Sequence, residues 1–198
     1  MEKYVVTISR QFGSMGRSIA HKMSELLGIE YLDRDIVEIT AKRMGLPVSM
    51  ISDEEEAVKA GFFGRIYPLG AGMPSIKDEI FAVQNNIIRD FTDKASCIIV
   101  GRCSEYVLRD RPNILRVYVY APYEARIKNC VDNLFMDEKT ARKLIKEVDR
   151  AREQYHKIYV PGYSSPFDNR DICIDSSKFG IEGTAKILEG IVRNQFNV

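Results

Sequence analysis

Hydrophobic residues recur along this chain in short continuous runs, and these runs alternate with longer stretches of helical periodicity. The runs are rich in β-branched residues, which is typical of strands that are buried on both faces of a sheet. They cover Tyr4–Ser9, Ile29–Leu32, Cys97–Gly101, Ile114–Tyr120 and Asp171–Ile174. Because strands that alternate with helices form parallel sheets, we predict an α/β fold with five parallel strands, helices on both faces and the first strand at the centre.

Helical periodicity fills the intervals between these runs. The predicted helices cover Gly16–Leu27, Asp35–Met44, a stretch from about Ser75, a stretch from Pro122, Asp137–Tyr155 and Gly180–Asn194. Ser52 and Glu55 have the spacing of a capping box, which predicts the start of a short acidic helix. The segment Gly61–Pro74 mixes glycine, proline and aromatic residues, so it is either a long surface loop or a lid that contacts substrate.

Length and charge limit the classes of function. A chain of 198 residues suits one α/β domain, and a net charge of +1 argues against a dedicated nucleic-acid or membrane surface. No apolar run approaches the roughly 20 residues of a membrane span, and the chain enters its first strand without a signal region. We therefore expect a cytoplasmic protein. The sequence does not indicate whether it is a monomer or an oligomer.

The cysteines give no indication of a metal site or of disulfide bonds. They are Cys97, Cys103, Cys130 and Cys173. They have neither C-x-x-C spacing nor histidine partners at metal-ligand spacing, so we expect free thiols that pack as small apolar groups.

The segment between the first strand and the first helix carries the clearest chemical signal. It reads Gln11-Phe12-Gly13-Ser14-Met15-Gly16-Arg17-Ser18, close to the G-x-x-x-x-G-K-[ST] pattern of a phosphate-binding loop. Gln11 stands at the first glycine and Arg17 at the lysine. Backbone N–H groups at a helix start bind phosphate, and the Ser18 hydroxyl is a candidate Mg²⁺ ligand. The alternative is that Gly13 and Gly16 only form a turn.

Two charged residues follow the second and third predicted strands. Arg102 follows Gly101, and Asp33 follows Leu32. The carboxyl ends of parallel strands share one edge of the sheet, where ligands bind, so both side chains are candidates for substrate contact. Asp33 could instead cap the next helix, and Arg102 could instead be a solvated residue at a helix start.

A third group of charges lies on the predicted helix Asp137–Tyr155. Asp149 and Arg152 are three residues apart and therefore share a helix face, and Arg126 lies in the preceding helix. Such a pair is usually a solvated ion pair, but phosphoryl transfer needs arginines and the exclusion of water around the transferred group. The pattern favours a closing segment that carries arginines.

Taken together and in order, six segments resemble the cytidylate kinase-like family within the nucleoside monophosphate kinases. These segments are Ser9–Arg17, Tyr31–Arg34, Ile98–Arg102, Arg116–Pro122, Asp149–Arg152 and Ile174–Ser177. The resemblance covers nearly the whole chain. It implies a P-loop NTPase fold, a three-layer sandwich with parallel strand order 2-3-1-4-5 and a helical lid. It further implies one domain over residues 1–198, with a monophosphate-binding insert at about 33–95 and the lid at about 126–165.

The activity implied by this resemblance is ATP-dependent phosphoryl transfer to CMP or a related nucleoside monophosphate, with Mg²⁺ as cofactor. Its partners would be small-molecule nucleotides. The residues implied for ATP are Gly13, Ser14, Met15, Gly16, Arg17, Ser18, Arg126 and Ser177, with Ser18 also toward the metal. The residues implied for the acceptor are Asp33, Arg34, Arg102 and Arg152. The residues implied for catalysis are Arg17, Arg102, Asp149 and Arg152.

The sequence departs from true cytidylate kinases at several positions. Those enzymes read Asp-Gly-Arg-Asp at the end of the third strand, whereas Val100 and Cys103 stand at the two acidic positions here. Ile145 stands where an arginine is expected one helical turn before Asp149. These differences predict weaker or less selective activity on CMP. Two alternatives stay open: a nucleotide-binding regulatory protein with little or no turnover, and a P-loop kinase of a non-nucleotide metabolite.

Overall fold

The computed structural model describes residues 2–55 and 76–198, and these parts of the chain alternate strands with helices. The strands are β1 (Val5–Arg10), β2 (Glu30–Leu32), β3 (Cys97–Val100), β4 (Ile114–Tyr120) and β5 (Ile172–Asp175). The helices are α1 (Gly16–Leu27), α2 (Arg34–Met44), α3 (Val48–Glu55), α4 (Ile76–Lys94), α5 (Ser104–Val107), α6 (Tyr123–Leu134), α7 (Glu138–Tyr159) and α8 (Gly180–Phe196).

The five strands form one parallel sheet in the order β2-β3-β1-β4-β5. Val5 in β1 is in register with Cys97 in β3 on one side and with Ile114 in β4 on the other. The predicted strand order and the central position of β1 are therefore confirmed. All five strands end at one edge, and the loops that follow β1, β2, β3 and β5 meet there.

Both faces of the sheet are buried, which explains why the strands read as continuous apolar runs. Side chains that alternate along β1 and β3 belong to two different cores. Val6, Ile8, Ile98 and Val100 pack with α1 and α8, whereas Val5, Cys97 and Ile99 pack with α2, α4 and α5. Cys97, Cys103 and Cys130 are buried free thiols, and Cys173 is an exposed one.

Helices α6 and α7 form an antiparallel hairpin with a small core of its own. Ile127 and Cys130 from α6 meet Ala141 and Ile145 from α7, and Phe12 of the phosphate loop packs against them. Ile145, which stands where an arginine was expected, is almost fully buried in this core. An arginine at this position would bury a charge among apolar side chains.

The predicted capping box at Ser52 is wrong. Helix α3 begins at Val48, directly after Pro47, and the amide of Met50 donates to the carbonyl of Pro47. Ser52 is therefore the fifth residue of the helix. Proline has a fixed φ that suits the start of a helix, and the burial of Ile51 against Val37 and Ile80 anchors the first turn.

The segment Gly61–Pro74, predicted to be a loop or a lid, lies outside the described residues. The first described residue after it is Ile76, the start of α4, close to the predicted start near Ser75. Within residues 2–55 and 76–198, none of the helices combines the length and the apolar character needed to cross a membrane.

Candidate active site

The phosphate loop joins β1 to α1 at the carboxyl edge of the sheet. Gly13 and Met15 both have left-handed backbone angles, with φ of 76° and 60°. Among the described residues, no side chain caps the first turn of α1. The N–H groups of a helix start carry partial positive charge and form a ready anion site. The loop therefore has the backbone geometry of a phosphate-binding loop.

Hydrogen bonds from several elements hold this loop in place. Gln11 donates its amide to the carbonyl of Val119 (3.0 Å), and its side-chain Oε1 accepts from the amide of Ala121 (3.1 Å). Ser14 donates to the carbonyl of Gln11 (2.9 Å), and Ser176 donates to the carbonyl of Ser14 (2.7 Å). Gln11, which replaces the first glycine of the pattern, thus anchors the loop to the end of β4.

Gly13 and Gly16 are both required by close packing. A Cβ on Gly13 would lie 2.8 Å from the carbonyl oxygen of Arg126, and one on Gly16 would lie 2.7 Å from Cβ of Arg10. The backbone of α6 and the last side chain of β1 therefore press directly against the loop. These contacts fix the position of the start of α1.

The carboxylate of Asp149 joins α7 to the phosphate loop. Its Oδ1 accepts from the amide of Phe12 (2.7 Å), and its Oδ2 accepts from Nη1 of Arg126 (2.5 Å). The same Nη1 lies 3.3 Å from the carbonyl oxygen of Phe12, to which it also donates. Arg126 is largely buried beneath the loop, so it contacts the loop backbone and Asp149.

Several of the predicted site residues line one cavity of about 260 Å³ at this edge of the sheet. Arg17, Arg102, Asp149 and Arg152 all contribute to its wall. The cavity also has an aromatic part, formed by Tyr118, Tyr155, His156 and Tyr163. The structure thus brings together cations from the loop, the end of β3 and α7, beside side chains on which a planar ligand can pack.

Asp33 lines a second cavity of about 430 Å³, which shares Arg17 with the first. Its carboxylate pairs with Nε of Arg17 and lies 4.0 Å from Nη2 of Arg10. The carboxylate makes no capping hydrogen bond to α2, although Asp33 is the residue that precedes that helix. Of the two roles considered for Asp33, the geometry excludes side-chain capping.

Tyr31, Ser18 and Arg34 complete the wall of the second cavity together with His21 and Asp35. The Tyr31 hydroxyl donates to Oδ2 of Asp33 (3.3 Å). Burial, and next the negative charge of Asp33, raise the pKa of Tyr31, so this phenol stays protonated and keeps donating. Arg34 is exposed at the rim of this cavity.

The backbone at the end of β3 is unusual. Gly101, Arg102 and Cys103 have successive φ angles of 78°, 62° and 49°. A left-handed conformation costs about 1 kcal/mol or more at a residue other than glycine, and such strain clusters at functional sites. The turn directs the chain from β3 into α5 and leaves Arg102 in the wall of the first cavity. Val100 and Cys103, at the positions of the missing acidic residues, are fully buried.

Ser177 lies at the opposite side of the site, after β5. Its amide and hydroxyl both donate to Oδ1 of Asp175, at 2.9 and 2.7 Å. These bonds hold the turn that begins the loop to α8. Ser177 itself is exposed, and it lines neither of the two cavities.

A buried charged cluster forms one wall of the first cavity, and no sequence spacing indicated it. Oε1 of Glu105 lies 3.0 Å from Nε2 of His156 and 3.0 Å from Nη2 of Arg170. Ser9 donates to its Oε2 (3.3 Å). Burial alone would raise the pKa of Glu105, but the hydrogen bond from His156 and the charges of Arg170 and His156 outweigh burial and hold this pKa at about 2.

The oxygen donors near the loop suit a Mg²⁺ ion that arrives with ATP. Such an ion keeps several waters and needs only one or two protein oxygens beside the phosphates. Ser18 is half-buried and lines the second cavity, and the buried Oδ1 of Asp33 accepts no hydrogen bond, although Arg10 lies 4.0 Å from it. Across the described ranges, no group of three or more His, Cys, Asp or Glu side chains could hold a metal on its own.

Comparison with protein families identifies the chain. The sequence profile of the cytidylate kinase-like family matches residues 5–178. This range includes β1 to β5 and the residues that line the two cavities. The chain belongs to the cytidylate kinase-like family. Among curated proteins, none matches it in sequence.

Solved structures show the same fold for this cytidylate kinase-like protein. An uncharacterized protein from Eubacterium ventriosum has 24% identity and a TM-score of 0.72, over 96% of this chain and 98% of that one. A sugar kinase from Janibacter sp. has 15% identity and a TM-score of 0.53, over 100% and 96%. A shikimate kinase from Acinetobacter baumannii, solved with shikimate, has 15% identity and a TM-score of 0.50, over 98% and 95%. The fold is that of the P-loop kinases.

The cluster around Glu105 gives a prediction for stability. Glu105→Gln should lower the free energy of unfolding at pH 7 by roughly 3 kcal/mol, because it leaves the buried guanidinium of Arg170 without its carboxylate. The control is Glu124→Gln, which removes an exposed carboxylate paired with Arg142 and should change stability by less than about 0.5 kcal/mol. Urea unfolding of both variants measures the difference, and equal effects would contradict the role of the cluster.

The lowered pKa of Glu105 predicts that the effect of Glu105→Gln depends on pH. The folded-state pKa of Glu105, about 2, is below its ordinary value of 4.5, so its stabilising contribution is complete above about pH 5 and is lost as the pH falls toward 2. The difference in unfolding free energy between the wild type and Glu105→Gln should therefore shrink between pH 5 and pH 3. A difference that stays constant over this range would contradict the lowered pKa.

Proposed function

We propose that this protein is an ATP-dependent kinase that transfers the γ-phosphoryl group of ATP to CMP or a related nucleoside monophosphate. One observation carries the proposal. Arg17, Arg102, Arg152 and Asp149 come from three separate elements and meet at one cavity beside the uncapped start of α1. Membership of the cytidylate kinase-like family and the P-loop kinase fold support the same reaction class.

The proposed catalysis rests on position and charge. An acceptor phosphate oxygen attacks the γ-phosphorus of ATP, the bond to the β–γ bridging oxygen breaks, and ADP leaves. Negative charge on the transferred group is balanced by guanidinium groups, and an acceptor phosphate needs no general base. In this proposal the N–H groups of Gly13 to Ser18 bind the ATP phosphates, and Arg17 is the cation beside them. Mg²⁺, when bound with ATP, further neutralises the phosphates, with Ser18 as its protein ligand.

The two sides of the sheet have different proposed roles. The β5 side, where Ser177 lies, is the donor side. Asp33, Arg34 and Arg102 follow β2 and β3, so the acceptor is proposed to lie there, with Arg152 reaching over from α7. Asp149 accepts a hydrogen bond from the Phe12 amide and so holds the phosphate loop in place. In this proposal it contributes to catalysis by positioning the loop.

The same site carries an argument for a second candidate function. Arg17 already pairs with Asp33, and both oxygens of Asp149 already accept hydrogen bonds from protein groups. These bonds stabilise the site in the absence of substrate. A nucleotide-binding regulatory protein with little turnover would use the same arrangement, and a test of turnover distinguishes the two.

An acceptor screen tests the proposed function. The protein is incubated with ATP, Mg²⁺ and, separately, CMP, dCMP, UMP, AMP, GMP and a set of phosphorylated and non-phosphorylated metabolites, and products are read by mass. We expect a diphosphate product from CMP, with weaker selectivity among monophosphates than in true cytidylate kinases because Val100, Cys103 and Ile145 are buried apolar residues. If a metabolite of the set is phosphorylated and none of the nucleoside monophosphates is, that metabolite replaces CMP as the proposed acceptor. ATP binding without any product would favour the regulatory function.

The role of Arg17 gives a second prediction. Arg17→Ala should raise the Kd for ATP at least about tenfold, because it removes a charge-assisted hydrogen bond to phosphate. Arg17→Lys keeps the charge and should retain a substantial part of the affinity and turnover. The fold should survive both changes, since the Arg17 side chain is 56% exposed and Asp33 keeps Arg10 as a neighbour.

Arg43→Ala is the matched control for this measurement. Arg43 is also an exposed arginine paired with an aspartate, Asp90, but it lines neither cavity. Its replacement should leave ATP affinity unchanged. Calorimetry with ATP measures all three variants, and an Arg17→Ala protein that binds ATP as tightly as the wild type would show that the loop is only a turn.

A further inference from the structure

Three side chains on one face of α7 bond this helix to the rest of the site. Asp149, Arg152 and His156 are spaced three and four residues apart, so they follow one another along the helix surface. Asp149 accepts from the amide of Phe12 (2.7 Å), and Arg152 donates to the carbonyl of Arg10 (3.1 Å). His156 makes the third contact, to α5. Histidine is the one of these three side-chain types whose charge changes near neutral pH.

Both ring nitrogens of His156 face an oxygen that can only accept. Nδ1 lies 2.9 Å from the carbonyl oxygen of Arg152, one helical turn earlier, and Nε2 lies 3.0 Å from Oε1 of Glu105. Glu105 is ionised above about pH 5, because its pKa is held at about 2. A neutral imidazole has one N–H group, so it would turn a lone pair toward one of these two oxygens. The imidazolium has two N–H groups and satisfies both contacts.

The charges around the ring oppose one another, and the contact with Glu105 is the most direct. The His156 side chain is 14% exposed. Arg170 and Tyr163, from the segment between α7 and β5, lie on either side: Nη2 of Arg170 shares Oε1 of Glu105, and the Tyr163 ring centroid is 5.2 Å from the imidazole. The hydrogen bond from His156 lowers the pKa of Glu105 more than the charge of Arg170 does, and by linkage the same bond favours the charged ring. The other charged side chains that line the first cavity with His156 are Arg10, Arg17, Arg102, Asp149, Arg152 and Glu153.

Loss of the ring proton weakens the attachment of α7 without detaching the helix. A neutral ring can keep one of the two hydrogen bonds, and a bond to a charged donor is roughly twice as strong as a bond to a neutral one. Other contacts of α7 do not involve the ring. Tyr155 and Tyr159 pack against Phe81 of α4, with ring centroids 6.1 and 4.0 Å apart, and Asp149 holds the phosphate loop. The effect of the proton is therefore on the position of the helix.

We propose that His156, as an imidazolium, is a positioning residue that holds α7 over the carboxyl edge of the sheet, and that this hold weakens as the pH rises. The folded state favours the charged ring, so the stabilising contribution is present at low pH and is lost as the ring loses its proton. The contact itself does not depend on the proposed function. Its consequence for ligands rests on that function, because Asp149 and Arg152 line the first cavity and belong to the same helix.

Nitrogen NMR of the wild-type protein with isotope-labelled histidine tests the protonation of the ring without any substitution. The chain has two histidines, and His21, which is 62% exposed on α1, gives the signal of an exposed ring in the same spectra. At about pH 7, where a solvated histidine is mostly neutral, we expect both ring nitrogens of His156 to carry a proton. A His156 ring with one unprotonated nitrogen at this pH would overturn the proposal.

Two substitutions separate the charge of His156 from its packing. His156→Gln is neutral at every pH and keeps an amide donor, whereas His156→Lys stays charged up to about pH 9. In urea unfolding, the folding equilibrium constant of His156→Gln should be lower than that of the wild type by at least about tenfold at pH 6, and within about threefold of it at pH 9. Relative to the wild type, His156→Lys should gain stability over the same range. The control His21→Gln should change the constant less than about twofold at both pH values.

A loss in His156→Gln that is equal at the two pH values would show a contact that is independent of charge and would overturn the proposal. So would a His156→Lys protein whose stability follows the pH dependence of the wild type. Both comparisons use the full chain and no ligand. They are therefore independent of whether the protein is a kinase.

The consequence for the site is measured as the Kd of a non-hydrolysable ATP analogue with Mg²⁺. The ratio of the Kd of His156→Gln to that of the wild type, taken at each pH, cancels the ionisation of the ligand. We expect this ratio to be at least about threefold at pH 6 and close to one at pH 9. A ratio that does not change with pH would overturn the positioning role. Failure of the proposed function looks different, because neither protein then binds the analogue while the NMR and unfolding results stay as expected.

Discussion

The hydrogen bond from the Phe12 amide to Asp149 is the contact on which the geometry of the site depends. It joins α7 to the phosphate loop, and the pairing of Asp149 with Arg126 adds α6 to the same junction. A partly buried carboxylate with both oxygens bonded is strongly oriented, so α7 has one favoured position over the carboxyl edge of the sheet. That position brings Arg152 to the end of β1 and His156 to Glu105.

Charge is distributed unevenly around this junction. Glu105 balances Arg170 and contacts His156, and Asp149 balances Arg126, so these pairs are structural. Asp33 pairs with Arg17 and lies 4.0 Å from Arg10. The first cavity is lined by the guanidinium groups of Arg10, Arg17, Arg102 and Arg152, and by Asp149, His156 and Arg170 from the ion pairs. Guanidinium groups that are already held near one another favour an anionic ligand, which is the basis of the proposed function.

The sequence was sufficient to predict the sheet, because short β-branched runs that alternate with helices are typical of strands buried on both faces of a parallel sheet. It was also sufficient to place Asp33 and Arg102 at one edge, since both directly follow strands of a parallel sheet. It was insufficient where contacts join distant segments. Glu105 meets His156 and Arg170 across 51 and 65 positions, and no spacing predicts such a cluster.

Two local interpretations also needed the structure. The amphipathic spacing of Asp149 and Arg152 indicated a shared face, but only the fold shows that the Asp149 carboxylate accepts from the phosphate loop. The pattern of Ser52 and Glu55 fitted a capping box, yet α3 begins one turn earlier, at Val48. Pro47 precedes this first turn, and the buried Ile51 packs it against the core. In both cases the local sequence pattern allowed more than one structure, and tertiary contacts determine which one forms.

The central claim is that this edge of the sheet binds two phosphate-bearing ligands side by side. The most direct measurement is a crystal structure of the protein with a non-hydrolysable ATP analogue, Mg²⁺ and CMP. The account predicts the β- and γ-phosphates of the analogue at the first-turn N–H groups of α1, and the CMP phosphate within hydrogen-bond distance of Arg102 and Arg152. Phosphates bound away from the start of α1, or a CMP that contacts none of the cavity arginines, would contradict it.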